Sequence, residues 1–294
     1  MEDKKDNRRQ TLVVVKIGDG TGNQLFNYAC GYATARRDHD SLMLDTSECD
    51  NSTLRKFELD NFQVRYDARE SFSNQGFWKK IYKKIRRNIK YRVIMEREVY
   101  LNRKKQYDVN DIDPRVYEPK KIRNKYLQGY WQHVEYFEEY FDEIMEMIRP
   151  AYEQSEAVRQ LTEQFQKTAT CAVHVRGGDL TGPEGDYFRR AVMRMMEEKP
   201  DVKYVVFTND RDRAEKVLEE IQKKNHIELS FISEYGTFSD IDEFFLMSAC
   251  QNQILSNSTY STWAAYANQY KEKTVIMPDD ILSERMKLKD WIIL

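Results

Sequence analysis

No stretch of the 294-residue chain approaches the roughly 18 consecutive apolar residues that a membrane-spanning helix needs. No apolar h-region stands behind the opening MEDKKDNRRQ, so neither signal peptide nor anchor is expected, and the expected location is cytoplasmic. The four cysteines, Cys30, Cys49, Cys171 and Cys250, have no CxxC or metal-ligand spacing, which leaves buried free thiols as their expected state. The Asn-Ser-Thr sequons at Asn51 and Asn257 carry meaning only in a secreted chain. Histidines are scarce, four in all, and do not cluster. The short DxD strings at Asp111/Asp113, Asp210/Asp212 and Asp240/Asp242 therefore stand unsupported in an acid-rich chain, and no metal is expected. A net charge of −2 removes any global attraction to nucleic acid. There is no repeat of solenoid length and no low-complexity segment.

What is present is globular: 40% of residues are hydrophobic and 33% charged. The length suggests two medium domains, and IRPAYEQS, with Pro150 between two helical stretches, suggests a boundary there, giving 1–150 and 151–294. TLVVVKI (11–17), a glycine cluster, a helix over 25–37 and a strand at 41–45 follow in the β-loop-α-β order of parallel α/β architecture. KFELDNFQV (56–64) fits strand or loop, and residues 72–127 mix charge with aromatics without a legible period. Beyond 150 the pattern is clear. Five strand-like runs, 170–176, 203–207, 228–232, 253–256 and 273–277, alternate with helices over 186–198, 211–224, 239–250 and 259–270. That predicts a five-stranded doubly wound sheet, which binds ligands at its carboxyl edge near the switch in strand order.

The residues just after each strand are thus the candidates. HVRGGDL (174–180) carries Arg176, a planar and permanently charged fork suited to phosphate, to a strand end. His174, two residues earlier, shares its face by strand alternation, and the flanking glycines admit a bulky anion. The alternative is an ion-paired arginine and a satisfied core histidine. SNSTYS (256–261) ends a strand and opens a helix; it is either a phosphate cradle of hydroxyls and free amides or an ordinary N-cap. Asp240, Asp242 and Glu243 open the next helix upstream, where a carboxylate suits the N1 and N2 hydrogens of a guanine, or merely favours the helix dipole as Ser239 and Asp242 form a capping box. GDGTGNQ (18–24) is an anion-binding strand-to-helix turn or a structural one capped by Asn23. It lacks the third glycine of a dinucleotide fingerprint and is not a P-loop, although Asp45 sits where a ribose-binding acid would. WKKIYKKIRRNIKYR (78–92), with eight basic residues and isoleucines every four, predicts a basic amphipathic helix, resting on an anionic membrane or docked by its isoleucines. GYWQHVEYFEEYF (129–141) holds aromatics suited to sugar rings or to a core.

Together GDGTGNQLFNYA (18–29), LDTSEC with LRKFELDNF (44–62), GYWQHVEYF (129–137), HVRGGDL (174–180), VVFTND (205–210) and DEFFLMSACQNQILSNSTYSTWAAY (242–266) resemble, in order, the α-1,2-fucosyltransferases of glycosyltransferase family 11. The resemblance implies a GT-B-type α/β fold, two Rossmann-like domains with parallel sheets facing across a cleft, the first on the acceptor side and the second binding the donor. It implies GDP-β-L-fucose as donor, metal-independent inverting transfer, and the 2-hydroxyl of a galactose-terminated glycan as acceptor. Carried over by position, Arg176 grips the phosphates and steadies the departing GDP, with His174 beside the nucleotide. Gly22 and Asn23 face the phosphate or fucose across the cleft. Ser258, Thr259, Tyr260 and Ser261 hold the phosphate from the second side, Asp242 takes the guanine with Asp210 behind it, and Asp179 is the candidate base, with Glu184 and Asp186 as substitutes. The family usually reads HxRRxD; here the second arginine is Gly177, and Lys16, Arg36 and Arg37 are the cations considered as compensation.

Overall fold

The computed structural model describes residues 11–71, 91–95, 112–118, 124–177, 183, 185–225 and 227–294. The first sheet opens with β1 (Leu12–Lys16), whose three valines are fully buried. The 18-residue helix α1 (Thr21–Asp38) follows, then β2 (Ser41–Asp45), the short helix α2 (Ser47–Asn51), β3 (Ala68–Glu70), β4 (Tyr91–Met95) and β5 (Asn124–Gln128). The strands run in the order β3-β2-β1-β5-β4, and all pair in parallel.

Helix α1 is buried nearly all round, from Gln24 to Ala35, because it is packed on two sides. Small residues let it approach the sheet: a carbon added at Gly31 would lie 2.6 Å from Val15. Its C-terminal residue, Asp38, meets Lys125 of β5 at 2.7 Å, and both side chains are almost wholly buried. The ammonium also donates to the Val116 carbonyl at 2.9 Å. Removing one partner of such a pair strands the other charge, so Lys125→Ala should cost about 3–5 kcal/mol. A Lys125→Met, Asp38→Leu double variant should recover most of that in denaturant unfolding.

Helices α3 (Phe141–Met147) and α4 (Glu156–Lys167) lead to the second sheet. Between them Pro150 bridges back to Phe62, and Ala151 N–H donates to the Asn61 carbonyl. Then come β6 (Thr170–Val175), α5 (Gly185–Glu198), β7 (Lys203–Thr208), α6 (Arg211–Asn225), β8 (Leu229–Phe231), α7 (Asp240–Ala249) and β9 (Asn252–Ile254). The chain ends with α8 (Thr259–Ala267), β10 (Val275–Met277), α9 (Ile281–Met286) and β11 (Ile292–Ile293). Among the described residues the sheet has six strands, one more than the pattern predicts, because β11 is only two residues long.

Its order, β8-β7-β6-β9-β10-β11, is the doubly wound arrangement 3-2-1-4-5-6, so the chain reverses direction across the sheet between β6 and β9. Cys171, Val173 and Val175 face one apolar layer with Phe188, Val192 and Leu218. Ala172 and the β7 residues Val205 and Phe207 face a larger one, which also holds Phe26, Phe137, Phe244 and Trp263. That larger core joins the two sheets, as helices α1 and α8 pack through Phe26 against Trp263 (5.2 Å between ring centroids) and Trp263 stacks on Phe137 (5.5 Å). Each such pair adds about 0.5–1.5 kcal/mol beyond its buried area.

The basic amphipathic helix expected over 78–92 falls almost wholly outside the described residues. Residues 78–90 lie outside the described residues, and Tyr91 and Arg92 open β4, pairing with Asn124 and Lys125.

Candidate functional site

The switch between β6 and β9 brings most of the predicted residues to one edge of the second sheet. His174, on the penultimate turn of the β6 pleat, is buried, with Nδ1 2.8 Å from the Ser256 hydroxyl after β9. Its ring lies 5.9 Å from that of Tyr260. Burial, with Arg176 beside it, holds the imidazole down at about 3, so it is neutral at physiological pH. The Ser256 contact occupies Nδ1, which leaves Nε2 as the ring nitrogen available to a ligand.

This has a measurable consequence for stability. Below about pH 6.5 the unfolded chain binds a proton that the folded one refuses. The stability is full above that pH and is lost as pH falls toward 3, by up to about 1.4 kcal/mol per unit. His174→Gln should flatten this slope in denaturant unfolding between pH 4 and 7.

Arg176 follows directly on β6 and is half-buried. Gly177 N–H donates to Asn209 Oδ1 at 2.8 Å, tying the β6 loop to the β7 loop. A carbon added at Gly177 would lie 2.2 Å from Asp210 Cβ. A second arginine therefore has no room here, and the glycine is required by its neighbour. Nor do the suggested substitutes serve. Arg36 and Arg37 sit at the far end of α1, about 25 Å along an 18-residue helix, paired with Glu143 and Glu139. Lys16 is paired with Glu48 at 2.5 Å.

Opposite Arg176's strand, α8 begins at Thr259. Its N-cap, Ser258, makes no side-chain cap, so the ordinary N-cap reading of this segment does not describe it. The Ser258 carbonyl instead accepts from the hydroxyls of Ser261 and Thr262 and from the Thr262 N–H. Ser258 and Ser261 are buried, whereas Thr259 and Tyr260 are partly open. The amides of residues 259–261 have no intrahelical acceptor, as at any helix start, and they form the positive end of the helix. The Tyr260 hydroxyl donates to the Asp240 carbonyl, so the ring is fixed between α7 and His174.

The first sheet reaches the same place through its glycine turn. A carbon on Gly22 would fall 2.4 Å from Thr259 C and Tyr260 N. The start of α1 thus rests directly on the start of α8. Asn23 does not cap α1, whose N-cap is Gly20; its Oδ1 accepts from Gln132 Nε2 at 2.8 Å. The turn is held instead by residues sequence reasoning missed. Asn27 Oδ1 accepts from Gly18 N–H, and Gln24 links Asp19, Lys56 and Glu58. Asp45 is not a ribose ligand here: it is fully buried, accepting from the Tyr126 hydroxyl and Ser47 N–H.

Two predicted carboxylates already have partners. Asp242 accepts from the Tyr152 hydroxyl (2.6 Å) and the Ser239 hydroxyl (2.7 Å), and its N–H donates to Ser239, so the capping arrangement is formed. Each carboxylate oxygen retains a second lone pair for a ligand. Asp210 caps α6 through Arg213 N–H and stands behind Gly177. Beside Asp242, burial with Asp240 nearby raises the Glu243 carboxyl to about 7. Asp186 is exposed and paired with Arg189 and Arg190, which makes it a poor base. Asp179 and Glu184 lie outside the described residues. Among the described residues no three His, Cys, Asp or Glu side chains are grouped to hold a metal, and all four cysteines are free and buried.

The chain as a whole is similar to known proteins. The model of glycosyl transferase family 11 matches residues 12–294. The O-antigen biosynthesis glycosyltransferase WbnK of Escherichia coli is 29% identical over 297 residues, spanning 89% of this chain and 92% of that protein. An α-1,2-colitosyltransferase of Escherichia coli is 25% identical, spanning 91% of each. Among solved structures, fucosyltransferase NodZ from Bradyrhizobium, also solved as an α-1,6-fucosyltransferase soaked with GDP-fucose, superposes with a TM-score of 0.51 at 16% identity. The match to the soaked structure covers 88% of this chain and 93% of that one, and it extends to the GT-B-type arrangement of two parallel sheets.

Proposed function

The chain belongs to glycosyl transferase family 11, and from that premise we propose that it is an inverting α-1,2-fucosyltransferase of surface-glycan synthesis. Fucose passes from GDP-β-L-fucose to the 2-hydroxyl of a terminal galactose. The observation that carries the reading is the convergence of Arg176, His174 and the amides of 259–261, which lack an intrahelical acceptor, at the switch between β6 and β9, with Gly22 pressed against Thr259 and Tyr260 from the other sheet. Residues 151–294 bind the donor in this account, and residues 1–150 face the acceptor.

The acceptor oxygen bonds to the fucose anomeric carbon as the bond from that carbon to the phosphate oxygen breaks, so the β-linked donor yields an α product. The acceptor's proton passes to a carboxylate, and Asp179 is the residue proposed for it. The electron pair leaves on GDP, whose diphosphate is neutralised by the Arg176 guanidinium and the helix amides, with Ser258, Thr259, Tyr260 and Ser261 around it. Asp242 takes the guanine, with Asp210 behind it, and Gly22 and Asn23 border the fucose. No metal is needed where an arginine and a helix start carry the charge, so turnover should survive EDTA. The basic residues of 78–92 favour peripheral contact with an anionic membrane, which binding to anionic vesicles would test. No helix among the described residues is long and apolar enough to cross a membrane.

A second reading is another GDP-sugar as donor, favoured by the likeness to the α-1,2-colitosyltransferase. Release of GDP from a panel of GDP-sugars with lactose and other β-galactosides, followed by NMR of the product linkage, separates the two. GDP-fucose giving an α-1,2-linked product supports the first; preference for another GDP-sugar supports the second.

A further inference from the structure

The Arg176 guanidinium is the one cation that the family pattern leaves on β6, and Gly177 leaves no room for another. A different arginine lies beside the glycine turn of the first sheet. The Arg55 guanidinium lies 3.8 Å from where a side-chain carbon on Gly20 would be, over the glycine turn. Gly20 is two residues from Gly22, so their Cα atoms are at most about 7.6 Å apart, and Gly22 touches the backbone of Thr259 and Tyr260.

The placement of Arg55 is built rather than incidental. Gln24, with no exposed surface, donates from Nε2 to the Asp19 carbonyl (2.8 Å) in the turn and to the Lys56 carbonyl (2.7 Å) in the segment above it. Its Oε1 accepts from Glu58 N–H at 2.8 Å. One buried amide thus clamps residues 56–58 onto the turn, while the Ser52 hydroxyl oxygen accepts from the N–H groups of Leu54 and Arg55 and fixes the approach. The side chain itself is exposed, and among the described residues no carboxylate lies within ion-pair distance of it. Three acids of this region are engaged elsewhere: Glu48 with Lys16, Asp60 with Arg69, Glu58 with Asn61.

We infer that Arg55 supplies the second positive charge to the donor's diphosphate, from the first sheet, in place of the arginine that Gly177 excludes. The inference rests on the GDP-sugar reading above. Arginine suits this position because its fork spans two phosphate oxygens while its stem lies along the turn.

Calorimetric titration of GDP into the full chain tests it. Arg55→Ala should weaken GDP binding about tenfold, the low end for a charged hydrogen bond at an open site. Arg55→Lys should recover part of the loss, and Lys56→Ala, the same loss of charge one residue away, should leave binding unchanged. The salt dependence of GDP binding should also be shallower in Arg55→Ala than in wild type. Wild-type binding with unaltered affinity in Arg55→Ala overturns the inference alone. So does a change confined to the acceptor KM, which would assign Arg55 to the acceptor. A wild-type protein that binds neither GDP nor GDP-fucose overturns the donor reading and this inference together.

Discussion

Arg176→Ala is expected to lower kcat for transfer from GDP-fucose by about 10²–10³-fold, the loss typical of removing one preorganised donor to a developing negative charge. The expectation follows from what surrounds the residue. Gly177 is closed against Asp210, Lys16 is paired with Glu48, and Arg36 and Arg37 lie at the distant end of α1, so none of these three cations takes over the charge. The helix amides at 259–261 and Arg55 remain, which keeps the loss from being total. Arg176→Lys should restore charge but not the bidentate contact and should fall between the two. Steady-state kinetics of GDP release check this: the fall should be in kcat and kcat/KM together, as expected for an interaction that strengthens as GDP leaves. Transfer at the wild-type rate in Arg176→Ala would remove the residue from the mechanism.

Gly22→Ala is expected to be nearly as damaging although it adds a single carbon. Helix propensity favours alanine by up to about 1 kcal/mol. Against this, the new carbon would sit 2.4 Å from two backbone atoms of Thr259 and Tyr260, about 1 Å inside ordinary contact. Neither side yields easily, since α1 and α8 are locked behind the turn by Phe26, Phe137 and Trp263. Overpacking of this kind costs about 1–3 kcal/mol, so it outweighs the propensity gain. The effect on activity should be larger than that on stability: separating the turn from the start of α8 by about 1 Å can cost about 10²-fold in rate. Thermal unfolding and kcat/KM measured on the same preparation separate the two. Gly31→Ala is the control. Its added carbon meets the Val15 side chain in the core, and it should destabilise without a selective loss in GDP affinity.

The strands that positioned this site were legible because they carry their own signal. VVV in β1 and TCAVHV in β6 are β-branched apolar runs between turn residues, and their parity placed His174 and Arg176 on one face. The sequence pattern predicts that α1 starts at Leu25, whereas it starts at Thr21, because Gly22 in the first turn has poor propensity and is required there by contact with α8, more than 230 residues away in sequence. β5, NKYLQ, has little strand character alone and exists through its pairing with β1 and β4. The last two residues of the basic stretch, Tyr91 and Arg92, are strand because they pair with β5, a long-range contact that the local isoleucine spacing does not report. Asp242's capping partner Ser239 could be read three residues upstream, whereas Tyr152, 90 residues away, could not. The place of Arg55 is not legible in the sequence for the same reason: the amide that holds its segment is Gln24, on another element.

The central claim is that the edge between β6 and β9 is the diphosphate site, and a crystal structure with GDP bound tests it most directly. The account predicts the diphosphate between the Arg176 guanidinium and the amides of residues 259–261, with His174 beside it and the guanine toward Asp242. GDP bound elsewhere, for instance along the first sheet with Arg176 turned away from the phosphates, would contradict it.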